Sequence, residues 1–215
     1  MKKTACIVTG GALSEAFLFQ YVTAHPEALL IVVDGALEVT HRLQLQPDYI
    51  VGDFDTVDQS LLECYDKKII FRHPPEKDQT DTELAIETAL QAGCESVLFF
   101  GATGSRLDHS LANIFLLQSL LKQNVSAAIL NENNKLYLKN KSFSIERKHA
   151  YGDFFSLLPL TETVEQVTLK GFKYPVQSLT FYREQTLGIS NEITEEEAIV
   201  EFTKGIFIVV ESRDK

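Results

Sequence analysis

Residues 47–56, PDYIVGDFDT, join a short apolar run to a turn that carries two carboxylates. The run Tyr49–Val51 is typical of a buried strand, and Gly52-Asp53-Phe54-Asp55 follows at its carboxyl end. Similar units, each a short apolar run followed by a longer amphipathic stretch, recur from residue 3 to about 131. This alternation predicts a Rossmann-like α/β fold, a mostly parallel sheet with helices on both faces.

The predicted elements of this first part alternate closely along the chain. We expect strands at Ala5–Thr9, Leu30–Val33, Tyr49–Val51, Lys68–Phe71, Val97–Phe100 and Ala127–Leu130. We expect helices at Ser14–Thr23, Asp58–Tyr65, Thr82–Ala92 and Ser110–Lys122.

The pattern changes after residue 134 to short alternating segments separated by turn residues. These segments are Lys135–Leu138, Phe154–Leu157, Glu165–Leu169, Leu179–Tyr182, Ala198–Thr203 and Gly205–Val210. Their spacing predicts an antiparallel β-sandwich of about 80 residues. We therefore expect two domains, residues 1–132 and 133–215, with the boundary near Asn133.

The composition excludes several classes of function. Twenty basic against thirty acidic residues give a net charge of -10 without a Lys/Arg cluster, so nucleic acid is not an expected partner. No run approaches the ~20 apolar residues of a membrane span, and the start MKKTACIVTGG is too short for a signal peptide. Three scattered cysteines, Cys6, Cys64 and Cys94, favour a reducing cytoplasm over a disulfide framework.

Carboxylates and glycines directly follow most of the predicted strands. In open parallel sheets, ligands bind beyond these carboxyl ends of the strands. Asp53 and Asp55 are two residues apart, so on a strand-like exit both side chains can face the same side. Such a pair, joined by a carboxylate from a neighbouring loop, suits Mg²⁺, which prefers hard oxygen ligands. The alternative is that these residues only form turns and cap helices.

A second candidate follows the fifth predicted strand. The loop Gly101-Ala102-Thr103-Gly104 precedes a helix, so its backbone N–H groups can bind an anion, and Arg106 offers a forked donor to phosphate. Gly101, Gly104 and Asp108 are therefore substrate-binding candidates. A plain tight turn, with Asp108 as a helix cap, remains the alternative.

Five ordered motifs covering nearly the full chain resemble those of thiamine pyrophosphokinases. They are Asp34-Gly35-Ala36, residues 47–56, Lys77-Asp78-Gln79-Thr80-Asp81, residues 101–109 (GATGSRLDH), and GFKYP at 171–175 with TLGISNE at 186–192. The resemblance implies an α/β nucleotide-binding domain and a β-sandwich, acting as a homodimer with active sites between subunits. It also implies transfer of a diphosphate group from ATP to thiamine, with Mg²⁺ as cofactor.

Roles carried over from the resemblance fall into three groups. Asp53, Asp55 and Asp81 would hold Mg²⁺ with the ATP phosphates. Asp34, Lys77 and Arg106 would line the polar site. Ser190 and Asn191 would hold the aminopyrimidine ring of thiamine. Thr56 and Phe172 depart from the usual Ser and Leu, and the absence of Trp leaves the ring-stacking partner of thiamine open.

Two other functions remain possible from the sequence. The stretch Asp53-Phe54-Asp55-Thr56-Val57 also resembles the nucleophile motif of haloacid-dehalogenase-type phosphatases, in which the first Asp is phosphorylated. Here, however, the motif follows the third predicted strand instead of the first. A non-catalytic sensor of thiamine compounds would need Ser190 and Asn191 but not the three metal-type carboxylates.

Overall fold

The computed structural model describes residues 3–55, 57–72 and 79–214. The chain divides into two compact units, Met1–Glu132 and Asn133–Lys215, here called unit 1 and unit 2. Across the described ranges, no helix is both long and apolar enough to cross a membrane.

Unit 1 contains a parallel sheet with helices packed against it. Its strands are β1 (Thr4–Val8), β2 (Leu29–Val33), β3 (Tyr49–Gly52), β4 (Ile70–Arg72), β5 (Ser96–Phe100) and β6 (Ser126–Leu130). Its helices are α1 (Glu15–Ala24), α2 (Ala36–Arg42), α3 (Gln59–Leu62), α4 (Asp81–Gln91) and α5 (Leu107–Lys122). The strand order β4-β3-β2-β1-β5-β6, with each described pair parallel, confirms the predicted α/β class.

This strand order has one functional consequence. From β1 the chain moves outward through β2, β3 and β4 on one side, and β5 and β6 lie on the other. The loops that follow β1 and β5 therefore diverge at a topological switch point, where open parallel sheets form a crevice for ligands.

Local signals explain most helix starts in unit 1. Helix α4 begins after a complete capping box, in which the Thr80 hydroxyl accepts from the Glu83 N–H and the Glu83 carboxylate accepts from the Thr80 N–H. The predicted strand at Lys68–Phe71 begins later, because a 3-10 turn at Lys67–Ile69 is capped by the Asp66 carboxylate.

Unit 2 consists of two antiparallel sheets. One has the order β7 (Asn134–Lys139), β13 (Phe207–Ser212), β9 (Phe154–Pro159). The other has the order β11 (Val176–Tyr182), β10 (Thr163–Lys170), β12 (Glu197–Glu201), β8 (Phe143–Glu146). Both sheets contribute to one apolar core, in which Phe155 and Phe207 meet Val167, Phe181 and Val200. The predicted β-sandwich is confirmed.

Candidate active site

Three carboxylates meet at the carboxyl ends of β2 and β3. One oxygen from each of Asp34, Asp53 and Asp55 lies within 4.8 Å of the other two. Asp34 follows β2 and Asp53 follows β3, and these strands are parallel neighbours paired through Val33 and Val51. Hard oxygen ligands at this separation suit a divalent cation such as Mg²⁺. This carboxylate cluster is the metal-binding candidate of unit 1.

The backbone around the carboxylate cluster is shaped to bring the side chains together. Phe54 lies between the two aspartates with φ of 60° and is 2% exposed, so its ring anchors the turn in the core. Asp34 has φ of 45° and donates its N–H to Val51 O at 2.9 Å. A Cβ on Gly52 would lie 3.2 Å from Asp34 Cβ, so glycine permits this approach. Left-handed backbone at non-glycine residues is often found at functional sites.

The carboxylate cluster differs from the set predicted from the sequence. Within the described residues, the group of three contains Asp34 and not Asp81. Asp81 is the first residue of α4, directly after the N-cap Thr80. Its role as a metal ligand stays a prediction. Lys77, also predicted for the polar site, lies outside the described residues.

The loops after β1 and β5 are joined at the switch point. Gly11 N–H donates to Gly101 O at 2.8 Å, and the Thr9 hydroxyl donates to the same oxygen at 2.7 Å. Gly101 has φ of 67°, and a Cβ there would collide with the Thr9 carbonyl oxygen. Gly104 N–H donates to the Ser110 hydroxyl at 3.0 Å, so this N–H is used inside the loop. The glycines therefore serve close packing of the two loops.

Arg106 and Asp108 form a forked ion pair at the start of α5. Arg106 Nη2 lies 2.6 Å from Asp108 Oδ2, and Arg106 Nε donates to Oδ1 at 3.2 Å. The bond from Arg106, followed by that from the His109 N–H, lowers the pKa of Asp108 to about 2. Both side chains are mostly exposed. Asp108 thus holds the Arg106 guanidinium at the loop. Phosphate oxygens can replace the Asp108 carboxylate as acceptors of its N–H groups.

Ser190 and Asn191, the predicted thiamine residues of unit 2, have different environments. Ser190 is exposed, has φ of 56°, and donates its N–H to the Ser156 hydroxyl at 2.9 Å. Asn191 is 7% exposed and is fixed by backbone pairing with Phe155. Ser190 is therefore accessible to solvent, whereas Asn191 is buried in unit 2.

The Asn191 amide is used by neighbouring backbone groups. Its Oδ1 accepts from Tyr174 N–H at 3.0 Å and from Glu192 N–H at 2.9 Å. Its Nδ2 donates to Tyr174 O at 3.0 Å. Lys173 Nζ lies 2.6 Å from Glu192 Oε1, a second link between the same two segments. The Tyr174 ring itself is 59% exposed, so Asn191 fixes the backbone of an exposed aromatic residue.

Sequence reasoning missed this role of Asn191 and the place of Asp34 among the metal-type carboxylates. The sequence resemblance assigns Asp34 to the polar site and not to the metal ligands. The expectation that β2 and β3 are parallel neighbours could have placed Asp34 beside Asp53. The two hydrogen bonds between the Asn191 amide and the Tyr174 backbone, here called the Tyr174 clamp, had no comparable signal in the sequence. They depend on the backbone pairing between Asn191 and Phe155.

Comparisons with known proteins agree with these two units. Residues 22–129 match the family model "Thiamin pyrophosphokinase, catalytic domain", and residues 142–207 match "Thiamin pyrophosphokinase, vitamin B1 binding domain". Thiamine pyrophosphokinase of Bacillus subtilis is 32% identical over 99% of this chain and 100% of its own length.

Solved structures extend the similarity to the fold. The crystal structure of the Bacillus subtilis thiamine pyrophosphokinase has a TM-score of 0.87 and 31% identity, covering 99% of this chain and 100% of that one. The thiamin pyrophosphokinase of Geobacillus thermodenitrificans has a TM-score of 0.84 and 28% identity, covering 99% and 98%.

Proposed function

The chain belongs to the thiamine pyrophosphokinase family and is an enzyme of that activity, and we propose that the Asp34–Asp53–Asp55 cluster supports its chemistry. The substrates are ATP and thiamine, and the products are AMP and thiamine diphosphate. The convergence of the three carboxylates beside the switch-point loops carries this proposal.

Unit 1 supplies the nucleotide half of the site. Asp34, Asp53 and Asp55 would hold Mg²⁺, because their oxygens converge and match its preference for hard ligands. The ion, when bound, supplies positive charge against the phosphate oxygens. Asp81, at the N-terminus of α4, and Lys77 stay candidates for the same polar site. The joined loops at Gly101 and Gly104 keep this edge of the sheet rigid.

Arg106 positions the phosphate chain and stabilises the leaving group. The thiamine hydroxyl oxygen attacks the β-phosphorus and loses its proton to solvent, and the bond from that phosphorus to the oxygen of the α-phosphate breaks. AMP leaves with the charge that develops on this oxygen. The forked guanidinium of Arg106, released from Asp108, is suited to meet that charge.

Unit 2 supplies the thiamine half of the site. The exposed Ser190 hydroxyl would bind the aminopyrimidine ring, and the exposed Tyr174 ring offers an aromatic surface for the same substrate. Asn191 contributes by fixing the Tyr174 backbone through two hydrogen bonds, and a third, from Glu192 N–H, holds the Asn191 amide itself. In a chain that lacks Trp, Tyr174 is our candidate for the ring-stacking partner of thiamine.

The proposal includes a homodimer in which unit 2 of one chain completes the site on unit 1 of its partner. Leu107, Leu111 and Phe115 recur every four residues on α5 and are each more than half exposed. This apolar stripe begins next to Arg106. Leu187 and Ile189, also exposed, precede Ser190. Both halves of the proposed site thus border apolar surface that a second copy of the chain would cover.

A cytoplasmic location is part of the same proposal. The three cysteines are free thiols, and Cys6 and Cys94 are buried. Free thiols of this kind are typical of proteins in a reducing compartment.

Product analysis tests the activity directly. The protein is mixed with ATP, Mg²⁺ and thiamine, and the products are separated by chromatography. AMP and thiamine diphosphate in equal amounts are expected. Release of inorganic phosphate without AMP would instead favour the phosphatase interpretation.

Substitution of the carboxylate cluster tests the metal site. Asp34→Asn and Asp55→Asn should each lower kcat/KM roughly a hundredfold, because a neutral ligand replaces an anionic one. Both should also weaken Mn²⁺ binding measured by electron paramagnetic resonance. Asp66→Asn is the matched control, since its carboxylate caps a distant turn. Full Mn²⁺ affinity in Asp34→Asn would remove Asp34 from the ligand set, and weakened affinity in Asp81→Asn would add Asp81 to it.

Complementation tests the shared site. Asp55→Asn and Tyr174→Ala each disable a different half, and neither change removes a buried side chain. In mixed dimers with shared sites, one pocket carries both changes and the other carries neither. Recovered turnover on mixing is expected. Heterodimers detected by mass spectrometry without recovered turnover would rule the shared site out.

A further inference from the structure

A polar pocket in unit 2 lies outside the residues to which a function was assigned above. Its volume is about 390 Å³. The polar part of its lining comes from separate segments, 147–153, 192–193 and 213, and includes Arg147, Tyr151, Asp153, Glu192 and Arg213. Two guanidinium groups in one pocket are notable in a chain whose net charge is -10.

The wall of this pocket formed by residues 147–153 is held in place by the sheet beneath it. Tyr151 N–H donates to Glu211 Oε2 at 2.6 Å, and Glu211 is 1% exposed. A Cβ on Gly152 would collide with the Ser212 carbonyl oxygen, so this glycine packs directly on β13. Arg147 N–H donates to Glu196 O at 2.8 Å. The wall is therefore preorganised, and binding would cost little ordering of the backbone.

The two arginines of the pocket are positioned to bind a ligand. The Arg213 guanidinium carbon lies 5.1 Å from the centre of the Tyr151 ring, a cation–π contact that holds the guanidinium against the ring. The Arg147 guanidinium makes a long hydrogen bond of 3.4 Å to Thr194 O, which leaves most of its donor capacity for a ligand.

The acidic residues of the pocket do not cancel this charge. Glu192 is paired with Lys173, with 2.6 Å between Oε1 and Nζ. Asp153 is exposed. Its negative charge repels a bound anion, and water screens that repulsion. With Glu192 paired to Lys173, the lining carries the two guanidinium charges of Arg147 and Arg213 against the one carboxylate of Asp153.

From this geometry we propose that the pocket is a binding site for a small oxyanion, a phosphate or a carboxylate group. A guanidinium fork matches both groups, because each offers paired oxygen acceptors. The volume leaves room for an organic part attached to the oxyanion. The site is built wholly from unit 2 and does not depend on the function proposed above.

Isothermal titration calorimetry of the full chain tests this site. Inorganic phosphate and acetate are titrated separately at matched ionic strength, in metal-free buffer. Every protein carries Arg106→Ala, which removes the arginine that we propose binds phosphate in unit 1. Saturable binding of one anion per chain is expected, and the anion that binds assigns the class. No saturable binding of either anion would overturn the site.

Three variants locate the binding. Arg147→Ala and Arg213→Ala should each weaken it roughly tenfold or more, because each removes charge-assisted hydrogen bonds. Asp153→Asn should strengthen it, since it removes a like charge. Arg183→Ala is the matched control, because it removes an exposed arginine that does not line the pocket.

Melting curves separate loss of binding from loss of fold. Arg147→Ala is the decisive variant, because the Arg147 side chain makes the weaker contact and its removal should leave the fold intact. Unchanged affinity in a folded Arg147→Ala variant would overturn the proposal. An Arg147→Lys variant that recovers part of the affinity would support it.

Discussion

Replacing Asn191 by alanine tests whether Asn191 supports the structure of the proposed thiamine site or contacts thiamine directly. The change removes two acceptor bonds, to the N–H groups of Tyr174 and Glu192, and one donor bond, to Tyr174 O. At about 1 kcal/mol for each bond, the expected loss of unfolding free energy is about 3 kcal/mol. In a chain of this length, that loss lowers Tm by roughly 6–12 °C.

The assay compares stability and kinetics in the same variants. Thermal unfolding of the ligand-free protein reports the clamp, and steady-state kinetics report the KM for thiamine. Asn191→Ala should lower Tm and raise the KM for thiamine, because the freed backbone no longer holds the Tyr174 ring in place. The KM for ATP should stay close to that of the wild type at temperatures where the variant is folded.

Ser190→Ala is the control for this experiment. Ser190 is exposed, and alanine meets the same backbone conformation at φ of 56°, so the stability should not change. Only the KM for thiamine should rise. Asn191→Ala with a wild-type Tm and a raised KM would refute the clamp and return Asn191 to direct contact with thiamine.

Three further expectations follow from single contacts. Gly101→Ala should cost at least about 2 kcal/mol in urea unfolding, because alanine is strained at φ of 67° and its Cβ meets the Thr9 carbonyl oxygen. Cys64, the exposed thiol, should account for the fast phase of reaction with a thiol reagent, which Cys64→Ser should abolish. The pKa of Asp108, about 2, lies below its unfolded value, so its carboxyl should stay ionised from pH 6 to pH 4 in a ¹³C NMR titration. In Arg106→Ala the pKa of Asp108 should rise, because the largest contribution that lowers it is lost.

The alternation of apolar runs and amphipathic stretches predicted the strands of unit 1 well, because buried parallel strands are continuous apolar segments. Helix α2 was missed. Its buried residues are Ala36, Leu37 and Thr40, and the polar threonine interrupts the apolar pattern. Thr40 is tolerated there because its hydroxyl donates to Ala36 O within the helix.

Helix α5 starts earlier than the sequence pattern predicts. The sequence places the first helical residue near Ser110, whereas the helix begins at Leu107 after Arg106, which makes no side-chain cap bond. The Ser110 hydroxyl instead accepts from Gly104 N–H and donates to Arg106 O. Ser110, at the predicted start of the helix, thus closes the preceding loop, which local pattern alone does not reveal.

The aspartate turn was predictable because its geometry is local. With Phe54 directed into the core, its neighbours Asp53 and Asp55 point away from the core together. The spacing of two residues predicts this for a strand-like exit, whereas the structure brings the two carboxylates together through a turn with left-handed backbone at Phe54. The identity of the third carboxylate depends on which strand lies beside β3. In the sheet order that strand is β2, and Asp34 follows it.

The pair Ser190 and Asn191 shows the limit of carrying over roles by motif. Ser190 lies in a turn with φ of 56°, whereas Asn191 lies on a β-bridge with Phe155. Backbone pairing of Asn191 with Phe155 directs the Asn191 amide inward, and the left-handed backbone of Ser190 leaves its hydroxyl outside. We therefore propose that Ser190 contacts thiamine and that Asn191 supports the site, and the stability of Asn191→Ala tests this assignment.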